Sequence, residues 1–262
     1  MALSPPIVVN DWWVSTAATG LGSTHLNPSV EQIHNAYKVR AQLLNYGFSE
    51  TAISGILGNM QKESGLSPGA IQKRSVCPNN ADSVTDVPNS VMIDYYDHNN
   101  PTNDGYGIGL IQWDSYTTTA PAGCALVSFA IRYNYNAWYD GDCQTDRINF
   151  EYLHDATGAA IPIGGQTYNW WTVYRFSGID WTYTLFRIMG SNYTPGTAAD
   201  IYRACRVKPE YDPDSAQQRR ENAAFWYQYF QDHPVEQTPS WLLLMSNNAN
   251  KKKVVKNVQY RN

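Results

Sequence analysis

Apolar side chains recur at helical spacing in the segment from Ser49 to Gly65, where Ile53, Ile56, Leu57 and Met60 stand at i, i+3, i+4 and i+7. Ser49 is placed to cap the start of this helix and Gly65 to take the left-handed turn after its end. Its two interior glycines, Gly55 and Gly58, together cost about 2 kcal/mol against alanine in an exposed helix, so close packing on that second face is expected. The helix is therefore predicted to be central. A helix over about 29–46 precedes it, with Val30, Ile33, Tyr37 and Leu44 on one face and a stop at Gly47. Residues 66–103 are rich in Asn, Asp, Ser and Pro, and Val84, Val87, Val91 and Ile93 hint at short strands. Further helices are expected near 124–138, 143–154, 181–190, 197–205 and 215–231. The last opens on a capping box, Ser215 with Gln218, and buries Ala223, Trp226, Tyr227 and Phe230. The pattern predicts an α+β class in which helices dominate. Residues 1–27 read as an arm or linker, 28–232 as one domain, and 233–262 as a second arm.

One polar residue interrupts this pattern informatively. At about 100° per residue, Glu63 projects within about 20° of Ile56 and about 60° of Met60, at the margin of the apolar stripe. A carboxyl group there is partly desolvated, which disfavours its charged form and suits a general acid working near neutral pH. The plain alternative is a solvated last-turn glutamate, the usual fate of Glu.

About forty residues later comes Asp104-Gly105-Tyr106-Gly107-Ile108-Gly109-Leu110-Ile111-Gln112-Trp113. Three alternating glycines beside aromatic and aliphatic residues predict a short hairpin or tight strand where backbone and ligand approach closely. A phosphate loop fails as an explanation. No Gly-Lys-Ser/Thr follows, and the glycines do not keep the G-x-G-x-x-G spacing.

Glu63-Ser64-Gly65-Leu66-Ser67-Pro68 followed by Gly109-Leu110-Ile111-Gln112 resembles the signature of lysozyme-like glycan hydrolases, especially goose-type lysozymes and lytic transglycosylases. The likeness is strongest to the phage tail lysozyme family, matched by Ile56 to Ser64 and by Gly105 to Trp113, and it extends from about residue 29 to 231. The resemblance implies a lysozyme-like fold with a small β-hairpin region beside the catalytic helix. It also implies that Glu63 protonates the glycosidic oxygen between N-acetylmuramic acid and N-acetylglucosamine in bacterial peptidoglycan. A second group then handles the developing oxocarbenium charge or activates water. Asp104 is the leading candidate for that base, with Asp82, Asp94, Asp97 and Asp114 as competitors; goose-type relatives manage without a conventional nucleophile. Ser64 and Gln112 are expected to hydrogen-bond the acid or the sugar amides, with a helix-end serine and a strand-edge glutamine as the plain alternatives. Tyr106 and Trp113 are suited to stack on sugar faces or to fill the core.

Composition narrows the alternatives. With 262 residues and 43% hydrophobic content, the chain can bury one sizeable core. A net charge of −4 and 16% charged residues give no basic surface for nucleic acid, and the Lys251–Lys253 cluster reads as a solvated tail. The first residues carry no recognisable signal peptide, and no stretch approaches the roughly 18 apolar residues of a spanning helix. A wall-degrading enzyme of this kind is expected to travel in a virion tail or to be released by a holin. The apolar pentad Trp241–Met245 in the C-terminal arm suggests docking onto other tail proteins. Cys77, Cys124, Cys143 and Cys205 lack metal-site spacing, so neither metal nor cofactor is expected. A Cys124–Cys143 disulfide and free buried thiols are both open. Three rivals to a glycan hydrolase stand: a lytic transglycosylase using the same acid, a cysteine peptidase pairing Cys124 or Cys143 with His154, and an inactive structural tail protein.

Overall fold

The computed structural model describes residues 7–14, 26–71, 87–91, 107–112, 122–156, 161–163, 166–168, 174–207 and 212–234. It is mainly helical, with small antiparallel hairpins. The chain divides into two units, 1–227 and 228–262, and the central helix belongs to the first.

Helix α1 spans Val30–Asn45 and opens on a complete capping box: Ser29 Oγ accepts from the Gln32 amide, and Gln32 Oε1 accepts from the Ser29 amide. Helix α2 spans Glu50–Ser64. Ser49 Oγ accepts the Ala52 N–H at 3.2 Å, and Gly65 leaves the helix at φ 60°. Ile53, Ile56, Leu57 and Met60 are fully buried, as their spacing predicts. So are Ser54, Asn59 and Gln61, which makes α2 the central helix.

The two α2 glycines are explained by close packing. A Cβ at Gly55 would lie 2.6 Å from Ala198 Cβ, on helix α6, Pro195–Tyr202. One at Gly58 would lie 2.5 Å from the Arg219 carbonyl oxygen and 2.8 Å from Ala223 Cβ, on helix α7, Pro213–Asp232. Two neighbouring helices thus approach α2 at backbone distance.

Between these elements lie α3 (Ala122–Arg132), α4 (Gly141–Ala156), the hairpins β3–β4 (Ile161–Ile163 with Gln166–Tyr168) and β5–β6 (Tyr174–Phe176 with Ile179–Trp181), and α5 (Tyr183–Arg187). Both hairpins are additions to the sequence-based picture. α6 runs on into a π-helical turn, Arg203–Val207. α7 starts two residues ahead of the expected capping box. Asp212 stands at its head, taking the Asp214 N–H on Oδ1 at 3.1 Å and the Ala216 N–H on its carbonyl at 2.9 Å. Val87 is buried, but the Pro88–Val91 segment closes a turn rather than the expected short strand; Val84 and Ile93 lie outside the described residues.

The clearest departure is at the N-terminus. Within the stretch expected as an arm, residues Ile7–Val9 (β1) and Trp12–Val14 (β2) pair as a hairpin with Trp12 and Val14 fully buried. The Trp12 ring lies on Gly141, where a Cβ would come within 2.0 Å of it, and its indole N–H donates to Asp142 Oδ1 at 2.8 Å. Asn35 on α1 completes a strand-like exchange with Trp13, accepting its N–H at 3.0 Å and donating to its carbonyl at 2.7 Å. This hairpin also resets the buried face of α1. His34, Asn35, Ala36, Tyr37, Val39 and Leu43 turn inward, while Val30 is 65% exposed and Leu44 38%.

The hairpin turn rests on a buried acid. Asn10 donates to Asp140 Oδ2, Lys38 Nζ donates to the Asn10 carbonyl at 2.8 Å, and His34 Nε2 bonds the Asp11 carbonyl. Burial, aided by the neighbouring Asp142 charge, pushes the Asp140 carboxyl from 3.8 up to about 6, against the opposing pull of the Asn10 amide, the Asp142 N–H and Lys38. Folding therefore favours protonated Asp140. The stability this contributes is fully present below pH 3.8 and is lost as pH rises through about 6. Asp140→Asn remains neutral, and its Asn10 partner can turn its amide to accept. The thermal midpoint of the variant relative to wild type should rise from about pH 4 to about pH 7. Parallel melting curves across that range would contradict the linkage.

Candidate active site

The C-terminal end of α2 carries Glu63 and is clamped by neighbours on α1. Gln32 Nε2 donates to the Gly65 carbonyl at 3.1 Å, and Asn35 Nδ2 donates to the Leu66 carbonyl at 2.8 Å. Asn35 thus joins the N-terminal hairpin to the residues that end the Glu63 helix.

Ser64, next to Glu63, faces inward. Its hydroxyl lies 2.9 Å from the Met60 carbonyl and 2.8 Å from the Leu110 carbonyl, and the residue is 1% exposed. The sequence-based expectation for Ser64 is a hydrogen bond to the acid or the sugar amides; its described partners tie α2 to the glycine run. Within its described residues, 107–112, the run is a bridge followed by a turn. Ile108 pairs antiparallel with Ile71, and the Gly109 N–H donates to the Ala70 carbonyl at 2.8 Å. Gly109 turns the chain at φ 79°, and a Cβ there would meet Gln144 Oε1 at 2.6 Å, so both its backbone and its space require glycine.

Gln144 carries no motif that would single it out in the sequence. Fully buried on α4, it accepts the Leu110 N–H at 2.7 Å and donates to the Pro68 and Trp138 carbonyls, each at 2.8 Å. One side chain thereby holds the glycine turn, the segment after α2 and the lead-in to α4. Gln112 sits on the turn at φ 50° rather than at a strand edge, and its Nε2 donates to the Gly109 carbonyl at 2.8 Å. Its Oε1 is buried with no hydrogen-bond partner among the described residues. Asp104, Tyr106 and Trp113 lie outside the described residues, as do Asp82, Asp94, Asp97 and Asp114.

The surroundings of Glu63 differ from the apolar margin expected. Ile56 and Met60 are fully buried on its helix, yet the carboxylate meets a cation: Arg219 Nη2 donates to Glu63 Oε1 at 2.5 Å. The glutamate side chain is 12% exposed and the arginine 4%. Arg219 is itself oriented by Asn59, whose Oδ1 accepts from Nη1 at 3.0 Å, and its Nε lies 3.4 Å from Ser215 Oγ. Asn59 in turn donates to the Gly55 carbonyl at 2.9 Å and to the Ala199 carbonyl at 3.0 Å, joining α2 to α6. A second tie between α2 and α7 runs from the Trp226 indole N–H to Gln61 Oε1 at 2.6 Å.

A signal for Arg219 existed in the sequence. It interrupts the stripe of Ala216, Ala223 and Trp226 much as Glu63 interrupts its own, and a charge in such a stripe requires a partner. Which partner it meets, 156 positions away, was not legible.

Other chemistries find less support. Cys143 is a free, buried thiol, so the Cys124–Cys143 disulfide does not form, and Cys205 is buried as well. Burial and the nearby Asp140 charge push the Cys143 thiol well up, the opposite of an activated nucleophile. The side chains of Cys124 and His154 lie outside the described ones. Among the described residues no group of three or more His, Cys, Asp or Glu side chains could hold a metal ion, and no helix is long and apolar enough to cross a membrane.

No curated protein matches the chain in sequence. The family model described as phage tail lysozyme matches residues 34–230, a span that holds the Glu63 helix, the glycine turn and the Arg219 helix. The chain belongs to the phage tail lysozyme family, with a lysozyme-like fold and a lysozyme-like, peptidoglycan-degrading function.

Proposed function

We propose that the protein is a muramidase that cleaves the bond from N-acetylmuramic acid to N-acetylglucosamine, with Glu63 as the general acid. The observation that carries this assignment is the placement of Glu63. It lies at a clamped helix end, its side chain is almost withdrawn from water, and its neighbour Ser64 is bonded to the glycine turn. Oε1 is occupied by Arg219, and among the described residues Oε2 has no hydrogen-bond partner, so Oε2 is the oxygen that carries a proton to the glycosidic oxygen. As that proton arrives, the C1–O bond breaks and its electron pair stays with the leaving oxygen. Water adds to the oxocarbenium carbon, and its surplus proton is returned to the carboxylate or passed to a base. Asp104 is the proposed base, and Tyr106, Gln112 and Trp113 the proposed sugar contacts. The setting we infer is the virion tail, acting on the host wall, with the terminal arms docking onto other tail proteins.

Hydrolysis leaves a reducing N-acetylmuramic acid end on every cut strand. Mass spectrometry of digested sacculi should show those reducing ends. Products ending in 1,6-anhydro rings would overturn hydrolysis in favour of transglycosylation by the same acid.

A further inference from the structure

We propose that Arg219 is a positioning residue for the glycosidic cleavage, fixing which oxygen of Glu63 carries the transferred proton and stabilising the carboxylate that remains. The proposal rests on the assignment of Glu63 as the acid and adds a second residue to that site.

Three features of the structure support it. The guanidinium is 4% exposed on its side chain and spans two fixed acceptors of α2, Glu63 Oε1 at 2.5 Å and Asn59 Oδ1 at 3.0 Å. Glu63 and Asn59 are one helical turn apart, so a planar fork reaching both sets the rotation of the carboxyl group as well as its distance. A lysine ammonium, a single point with no fixed plane, could not impose that orientation. The second feature is the anchor itself. Asn59 is fully buried and is bound to the Gly55 and Ala199 carbonyls, so the far end of the fork does not drift. The third is the close approach of α7, which only a glycine at position 58 permits, because a Cβ there would strike the Arg219 carbonyl at 2.5 Å.

The chemistry follows from this geometry. In the protonated acid, Oε1 is the carbonyl oxygen and accepts from Nη2, while Oε2 is the hydroxyl that faces the substrate. When the proton moves to the glycosidic oxygen, the O–H electron pair stays on the carboxyl group and the full negative charge develops beside a cation already in place. That interaction is stronger after proton transfer than before, so it lowers the barrier rather than simply tightening binding.

The test is steady-state kinetics on soluble glycan fragments with wild type, Arg219→Lys, Arg219→Gln and Glu63→Gln, with a thermal melt of each. We expect kcat to fall about tenfold in Arg219→Lys and about a hundredfold in Arg219→Gln, while KM stays within about threefold of wild type. Should Arg219→Gln fail to fold, Arg219→Lys, which keeps the buried charge, decides alone. A folded Arg219→Lys at wild-type kcat, or a loss confined to KM, overturns the proposal. If Glu63→Gln is inactive while both arginine variants turn over normally, the positioning role alone is wrong. If Glu63→Gln keeps wild-type kcat, the acid lies elsewhere and both assignments fall.

Discussion

Replacing Glu63 with glutamine should reduce cell-wall clearing by about 10²–10⁴-fold, the usual contribution of a positioned general acid. Glutamine is close to isosteric, and its amide oxygen can still accept from Arg219 Nη2, so the clamped end of α2 keeps its place. What it lacks, on the proposed mechanism, is a transferable proton at Oε2. Stability should also fall wherever the wild-type carboxyl group is ionised, because Arg219, 4% exposed, then keeps its charge without a counter-charge. Zymography on purified walls, beside circular dichroism of the same preparation, separates the two effects. Full clearing by a folded Glu63→Gln protein would remove this residue from the mechanism.

Trp12→Ala should be strongly destabilising although it lies outside the candidate site. The indole is fully buried, lies on Gly141 with no room for a side chain there, and gives its N–H to Asp142. Truncating a buried tryptophan costs about 3–5 kcal/mol. For a domain of this size that corresponds to a fall of about 6–20 °C in thermal midpoint. The cavity would also undermine Asn35, which holds Trp13 on one side and the Leu66 carbonyl, beyond Glu63, on the other. A melting curve within about 2 °C of wild type would show that residues 7–14 are the dispensable arm their composition suggested.

That arm shows why part of the fold escaped the sequence. Ile7 to Val14 is too short for a periodic signal, and its turn residues Asn10 and Asp11 adopt positive φ of 48° and 64°. Nothing local says that Trp12 finds a space 130 residues away beside Asp142. The inward turn of His34 and Asn35 is a consequence: polar side chains are buried because the hairpin backbone gives them partners. The helices between 30 and 64 were legible for the opposite reason, since Ser29, Ser49 and Gly65 act on atoms within four residues of themselves. Gly55 and Gly58 were half legible: their presence announced close neighbours without naming α6 and α7.

The amino-acid order alone determined a central helix with a carboxylate at its margin, a glycine-rich segment, expected as a hairpin or tight strand, and the family to which both belong. Those features are carried by periodicity, caps and glycines, whose effects extend over one or two helical turns. Only the tertiary structure decided that Ser64 ties the helix to the turn, that Gln144 pins the turn from α4, and that Glu63 faces Arg219 rather than apolar side chains alone. Each of these is a contact between residues at least 34 positions apart, and a buried polar group takes whichever partner packing brings within hydrogen-bond reach.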